Sequence, residues 1–295
     1  MKRILASIVL TVLLLASTLS TAAPKKKLWP RWQVNNPLST KTNNYTFWDY
    51  FLKKYVHPNA DGINLVAYGQ VSDQDKESLH RFLREMSQIH IDTYNRKAQE
   101  AYWINIYNAL TVDLILRHYP VKSIMDIKIS GLFSPGPWGA KLIKVEEIPL
   151  SLNDIENRIL RPIWNDQRIH YAINCAALSC PNLQRTAFTA NNVDSLLNMA
   201  TRQYVNSPRG TDIQNGQLIL STMYIWYKSD FGGNDDDIID WLEIYANPVL
   251  QNRLKFIRKI SKTQYNWGLN IWKGTLPIQK QTTQKIKNKK IRHRR

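Results

Sequence analysis

Both cysteines of the 295-residue chain and one of its six histidines fall within twelve residues, His170 to Pro181, read His-Tyr-Ala-Ile-Asn-Cys-Ala-Ala-Leu-Ser-Cys-Pro. A thiol beside an imidazole can form a nucleophile and its base, with Cys175 attacking and His170 taking the proton. Two cysteines with four residues between them can equally pair as a disulfide in an oxidising compartment. Zinc usually takes four such ligands, and only His170 lies near in sequence, so the spacing argues against a metal. It also differs from the two-residue spacing of redox motifs. No cofactor motif accompanies the cluster, and the oxidation state of Cys175 and Cys180 stays open.

The compartment can be read from the start of the chain. Lys2 and Arg3 precede apolar and small residues from Ile4 to Ala16, and Ser20-Thr21-Ala22 offers a small-residue cleavage site. The expectation is a signal peptide over 1–22 and an exported protein, periplasmic or secreted. No cysteine follows the leader to carry a lipid, and no later apolar run approaches the twenty residues of a membrane span.

A formal net charge of +17 suggests a polyanionic partner until it is located. Residues 1–31 hold six basic and no acidic groups, 244–295 hold fourteen and none, and the remainder holds twenty basic groups against all twenty-three acidic ones. The body is close to neutral and the ends are basic. Segment 23–43 reads as a basic linker, 44–272 as one domain, and 273–295 as a basic tail without core-forming pattern. Such a tail fits an anionic envelope surface. Export and the lack of a binding motif disfavour specific nucleic-acid recognition.

The elements that must position the cluster are mostly helical. Periodicity and caps predict helices over 45–56, 73–88, 97–118, 151–160, 190–205 and 235–245, with Asn44, Ser72, Ser151, Thr189 and Asn234 as N-caps. Ser151-Leu-Asn-Asp154 resembles a capping box. Strands are predicted at 141–145, at 168–174 with His170 on it, and in a hairpin turning at Asn215-Gly216. The fold class is α+β: a mostly helical single domain with a central buried helix against a small, largely antiparallel sheet. The helix around Trp103 is apolar on both sides, so it is the central one. Asn105 and Asn108 share a face of it, and each either ties a loop backbone to the helix or lines a polar pocket beside His170 and Cys175.

Four ordered segments carry a resemblance: Trp103-Ile-Asn-Ile-Tyr-Asn-Ala109, Ser151 to Glu156 followed by Ile159-Leu-Arg161, His170 to Pro181, and Trp226-Tyr-Lys-Ser-Asp-Phe231. Over about residues 45–270 the chain resembles the domain of unknown function 547 family, found in exported bacterial and in plant proteins. The family has no assigned activity. Its position matching Cys180 can be serine, which the resemblance implies makes Cys175 the better candidate thiol. A remoter likeness is to papain-like and transglutaminase-like folds, where a central helix precedes a histidine strand. Those enzymes carry their cysteine at the start of that helix, where this chain has Ala101, Tyr102 and Trp103.

Glu156 can orient the His170 imidazole, or simply be a favourable charge near a helix start paired with Arg161. Asp230-Phe231-Gly232 matches one kinase fragment but lacks the accompanying loops, and the acids at 235, 236, 237 and 240 fail the calcium-loop spacing. Two function classes follow. One is a thiol-dependent hydrolase or acyl transferase on envelope peptides or amides, with Cys175, His170 and Glu156 catalytic and Asn105, Asn108, Asn174, Ser179 and Cys180 completing the pocket. The other is a non-catalytic module binding a small molecule, peptide or polyanion, with Cys175 and Cys180 paired.

The tail is testable apart from either class, because attraction to a polyanion is screened by salt. Deleting 279–295 is expected to abolish co-sedimentation with anionic liposomes at low ionic strength and to leave the melting temperature unchanged. Equal lipid binding by both forms would remove the tether.

Overall fold

The computed structural model describes residues 24–131 and 134–276. The leader over 1–22 and the basic run 279–295 lie outside the described residues. In chain order the described elements begin with α1 (Thr46–Tyr55), β1 (Val56–Pro58), β2 (Asn64–Val66), α2 (Asp73–Ser87) and α3 (Arg96–His118). The hairpin β3 (Ile143–Val145) and β4 (Ile148–Leu150) leads into α4 (Leu152–Asp154), a π-helical stretch (Ile155–Leu160) and α5 (Arg161–Trp164). Then come α6 (Ile169–Ala172), α7 (Val193–Val205), β5 (Thr211–Gln214), β6 (Gln217–Ser221), α8 (Met223–Trp226), α9 (Asp235–Tyr245), α10 (Pro248–Leu254) and β7 (Ile260–Gln264). The class is α+β: strand pairs β1–β2, β3–β4 and β5–β6 are antiparallel, and β7 joins β6 in parallel.

Helix α3 is the centre of the larger core. Asn95 starts it by accepting the Ala98 N–H at 3.0 Å, and it stops before Pro120, which disfavours a helical residue ahead of it. Every residue from Ala98 to Ile115 is buried. The two-sided apolar pattern finds its reason in the neighbours: α2, α7 and the π-helical stretch pack around the helix. A second core gathers Tyr204, Leu218, Leu220, Tyr224, Phe231, Ile238 and Leu242 under the three-stranded sheet. The short helix α6 joins the two, with Ile169 and Ala172 in the first core and Tyr171 in the second.

Local chemistry explains the element ends. Ser72 and Asn234 cap as expected, and Ser151 and Asp154 form a reciprocal capping box. Asn215 and Gly216 both take positive φ, the requirement of a tight hairpin turn. Asn44 accepts from Thr46 N–H at 3.0 Å, one residue ahead of the helix boundary. Thr189 bonds Asn192, and its helix begins only at Val193.

Three expectations need correction. The run 168–174 is not a strand: it is the single turn α6, followed by extended Ile173. Asp166 accepts the Arg168 N–H at 2.8 Å and folds the backbone into that turn, while burial in two cores satisfies the β-branched and aromatic side chains that suggested a strand. Only Ile143–Val145 of the 141–145 run pairs.

Residues 24–34 are no free linker either, because Trp32 is buried with its ring 5.1 Å from that of Trp103. The backbone of this segment has a specific partner. In the π-helical stretch the Arg161 N–H bonds the Glu156 carbonyl, leaving the Asn157 carbonyl free, and Pro162 has no N–H to offer Arg158. Lys27 N–H bonds the Asn157 carbonyl at 2.9 Å and Trp29 N–H the Arg158 carbonyl at 3.0 Å. The N-terminal strap completes an interrupted helix. At the other end, the Gln70 side chain binds the Gly274 carbonyl and the Leu276 N–H, so packing continues to residue 276.

Glu100 on α3 gives the fold a pH dependence. Burial, with Asp166 and Asp194 nearby, pushes its carboxyl up to about 8, whereas in an unfolded chain it ionises at about 4.3. Between those values the folded state keeps a proton that the unfolded state has released, so stability falls as pH rises. Glu100→Gln is expected to melt like the wild type at about pH 4 and to be more stable by a few kcal/mol above about pH 8. A melting difference that does not grow with pH would show the carboxyl to be solvated.

Candidate functional site

Helix α6 places His170 at the seam between the cores, 4% exposed. Its Nε2 lies 2.9 Å from Asp230 Oδ2, and its ring rests on Tyr227 at 4.2 Å between centroids. Asp230 comes from the 3-10 turn Lys228–Phe231. Arg161 donates from Nε to the same oxygen at 2.6 Å, and its guanidinium also reaches Asn157 Oδ1 at 2.5 Å and the Pro24 carbonyl at 2.8 Å. Burial alone would raise the Asp230 carboxyl, but hydrogen bonds from His170 and Arg161 outweigh it and hold the group well below the usual carboxylate range. The carboxylate that orients His170 is therefore Asp230 and not Glu156, a correction to the sequence reading.

Cys175 and Cys180 form a disulfide, with an S–S distance of 2.10 Å. The turn that carries them is tightly specified. Asn174 Oδ1 accepts the Ala176 N–H at 2.8 Å and Asn174 Nδ2 reaches the Pro181 carbonyl at 2.7 Å, closing the loop from inside. Ala176 takes φ 61°, a left-handed conformation that a residue with a Cβ rarely adopts. Segment 266–270 pins it from outside, with Asn270 N–H on the Ala176 carbonyl and Leu178 N–H on the Gly268 carbonyl. Tyr265 Oη sits 3.2 Å from Cys175 Sγ and 3.4 Å from Cys180 Sγ.

The disulfide, His170 and Glu156 line one cavity of about 330 Å³. Its walls are largely aromatic. Trp226 stacks on Trp267 at 5.5 Å, Tyr265 lies 4.6 Å from Trp267, and Trp138 meets Trp267 edge to face at 5.7 Å. Glu156, 4% exposed, projects from the π-helical stretch, a distortion frequent at functional sites. Tyr107 donates to its Oε2 at 3.3 Å. Burial pushes the Tyr107 and Tyr227 phenols well above their ordinary range, and the Glu156 carboxylate beside them adds to it.

The other candidate residues sit nearby but are spent on backbone. Asn105 exchanges hydrogen bonds with Phe188 N–H and carbonyl, and Asn108 bonds the Ala172 carbonyl and the Asn174 N–H, which sets the end of α6 against α3. Ser179 Oγ accepts the Asn266 N–H at 2.8 Å. None of Asn105, Asn108, Asn174 and Ser179 lines the cavity; Asn108 and Asn174 fix the segment that carries His170 and the disulfide, and Asn105 fixes the loop at Phe188. Sequence reasoning missed Asp230 as the partner of His170 and Arg161 as the second partner of Asp230, although both belong to the segments that carried the family resemblance. Among the described residues no cluster of three or more His, Cys, Asp or Glu is placed to hold a metal ion, and no helix is long and apolar enough to cross a membrane.

Fold and site together define an α+β domain with a disulfide-walled, aromatic cavity. Residues 91–205 match the family described as "Protein of unknown function, DUF547", so this segment of the chain is similar to that family. The matched residues contain α3, the π-helical stretch, α6 and both cysteines. No curated protein and no solved structure matches the chain.

The buried charges can be tested directly, since removing one partner leaves the others unpaired. Asp230→Asn is expected to cost about 3 kcal/mol of stability, because Arg161 and His170 lose their anion. Urea unfolding of the two forms measures it, and an unchanged midpoint would mean that the cluster is hydrated.

Proposed function

We propose that the protein is a binding module that takes part of a small organic molecule or peptide into the aromatic cavity, with the Cys175–Cys180 disulfide as a fixed wall. The disulfide carries this reading: both sulfurs on the cavity are bonded to each other, and a thiolate is required for nucleophilic attack. Export, proposed from the leader, would keep that bond oxidised. Apolar walls with few convergent polar groups are the usual composition of a small-molecule site. Here Trp138, Trp226 and Trp267 offer ring faces, and His170 and Glu156 the polar groups.

A thiol-dependent hydrolase or acyl transferase is the second reading, favoured by the His170–Asp230 pair on the same cavity as Cys175. In it a thiol reductant opens the disulfide and Cys175 Sγ attacks an acyl carbon. His170 takes the thiol proton and returns it to the leaving group, while Asp230 holds the imidazole.

Alkylation separates the two. The binding reading expects iodoacetamide to label neither cysteine in the native protein and both after reduction and unfolding. Stoichiometric labelling of Cys175 without reductant would overturn it in favour of the thiol reading.

A further inference from the structure

Glu156 is out of keeping with the other buried carboxylates around the cavity. Asp230 pairs with Arg161 and His170, and Asp154 with Lys141 and Arg158. Glu156 is as deeply buried, yet among the described residues no lysine, arginine or histidine forms an ion pair with it. The basic groups closest in sequence are those already engaged by its neighbours. The hydrogen bond its carboxylate accepts comes from a phenol, Tyr107 at 3.3 Å. A carboxylate taken out of water without a cation is costly, and a positive group placed beside it offsets that cost.

The surroundings suit such a group. Glu156 lines the cavity together with Tyr107, Trp138, Trp226 and Trp267, and ring faces attract a cation that has shed its water. An anionic ligand would meet Glu156 as a like charge. We infer that the cavity selects a ligand bearing an ammonium group, which Glu156 pairs and the aromatic side chains surround. The inference rests on reading the cavity as a ligand site and names the chemistry that site would take.

The test uses the full-length protein with two probes that share a ring, benzyltrimethylammonium and the neutral benzyl alcohol, followed by tryptophan emission and calorimetry. The ammonium probe is expected to bind at least about tenfold tighter. Glu156→Gln should lose the preference and bind the two probes alike. Equal affinities in the wild type would overturn the ammonium inference and leave the cavity reading intact. Binding of neither probe would overturn both. The wild-type comparison decides even where the Gln variant does not fold.

Discussion

The Asp230 carboxylate is where the two cores are electrically joined. Arg161 reaches it from the end of the π-helical stretch that packs on α3, His170 from the turn between the cores, and Lys26 approaches its other oxygen at 3.6 Å. Each group is unfavourable to bury alone, and together they satisfy one another. The mutual need constrains geometry: the Lys228–Phe231 turn cannot drift from α5 without stranding charge, and the cavity beside His170 inherits that rigidity.

Around this fixed point the site divides its labour. Asparagines do the positioning, because a carboxamide can both donate and accept and so can hold backbone that belongs to no regular element. Asn108 ties α3 to the end of α6, Asn105 ties it to the loop at Phe188, and Asn174 closes the disulfide turn. Aromatic side chains shape the empty space, and the disulfide closes a wall that the loop between the cysteines, with its left-handed alanine, would otherwise hold poorly.

Much of this was legible before any coordinates. The central helix, the capping box, the hairpin turn and the convergence of His170, Cys175 and Glu156 on one place follow from residue types and spacing. The local strand reading at 168–174 failed because its composition reflects burial in two cores, and burial looks alike in a strand and in a packed turn. Glu156 lines the cavity, but the carboxylate bonded to His170 is Asp230. The pairing with Asp230 spans sixty residues, and no local rule reaches that far. Asp230-Phe231-Gly232 was weighed only against a kinase fragment, when the useful signal was that Asp230 belongs to the Trp226–Phe231 segment. Trp29 and Trp32 are the residues through which 24–34 packs on the domain.

The strap that completes the interrupted helix also brings Pro24 to the cavity, where its ring is part of the wall and its carbonyl caps Arg161. The two ends of the described chain are thus unequal as attachment points. A reporter or affinity handle joined ahead of Pro24 is anchored at the cavity itself and competes for its opening. One joined beyond Leu276 is anchored beside Gln70, and neither residue lines the cavity, so it is the sounder choice for any assay of what enters.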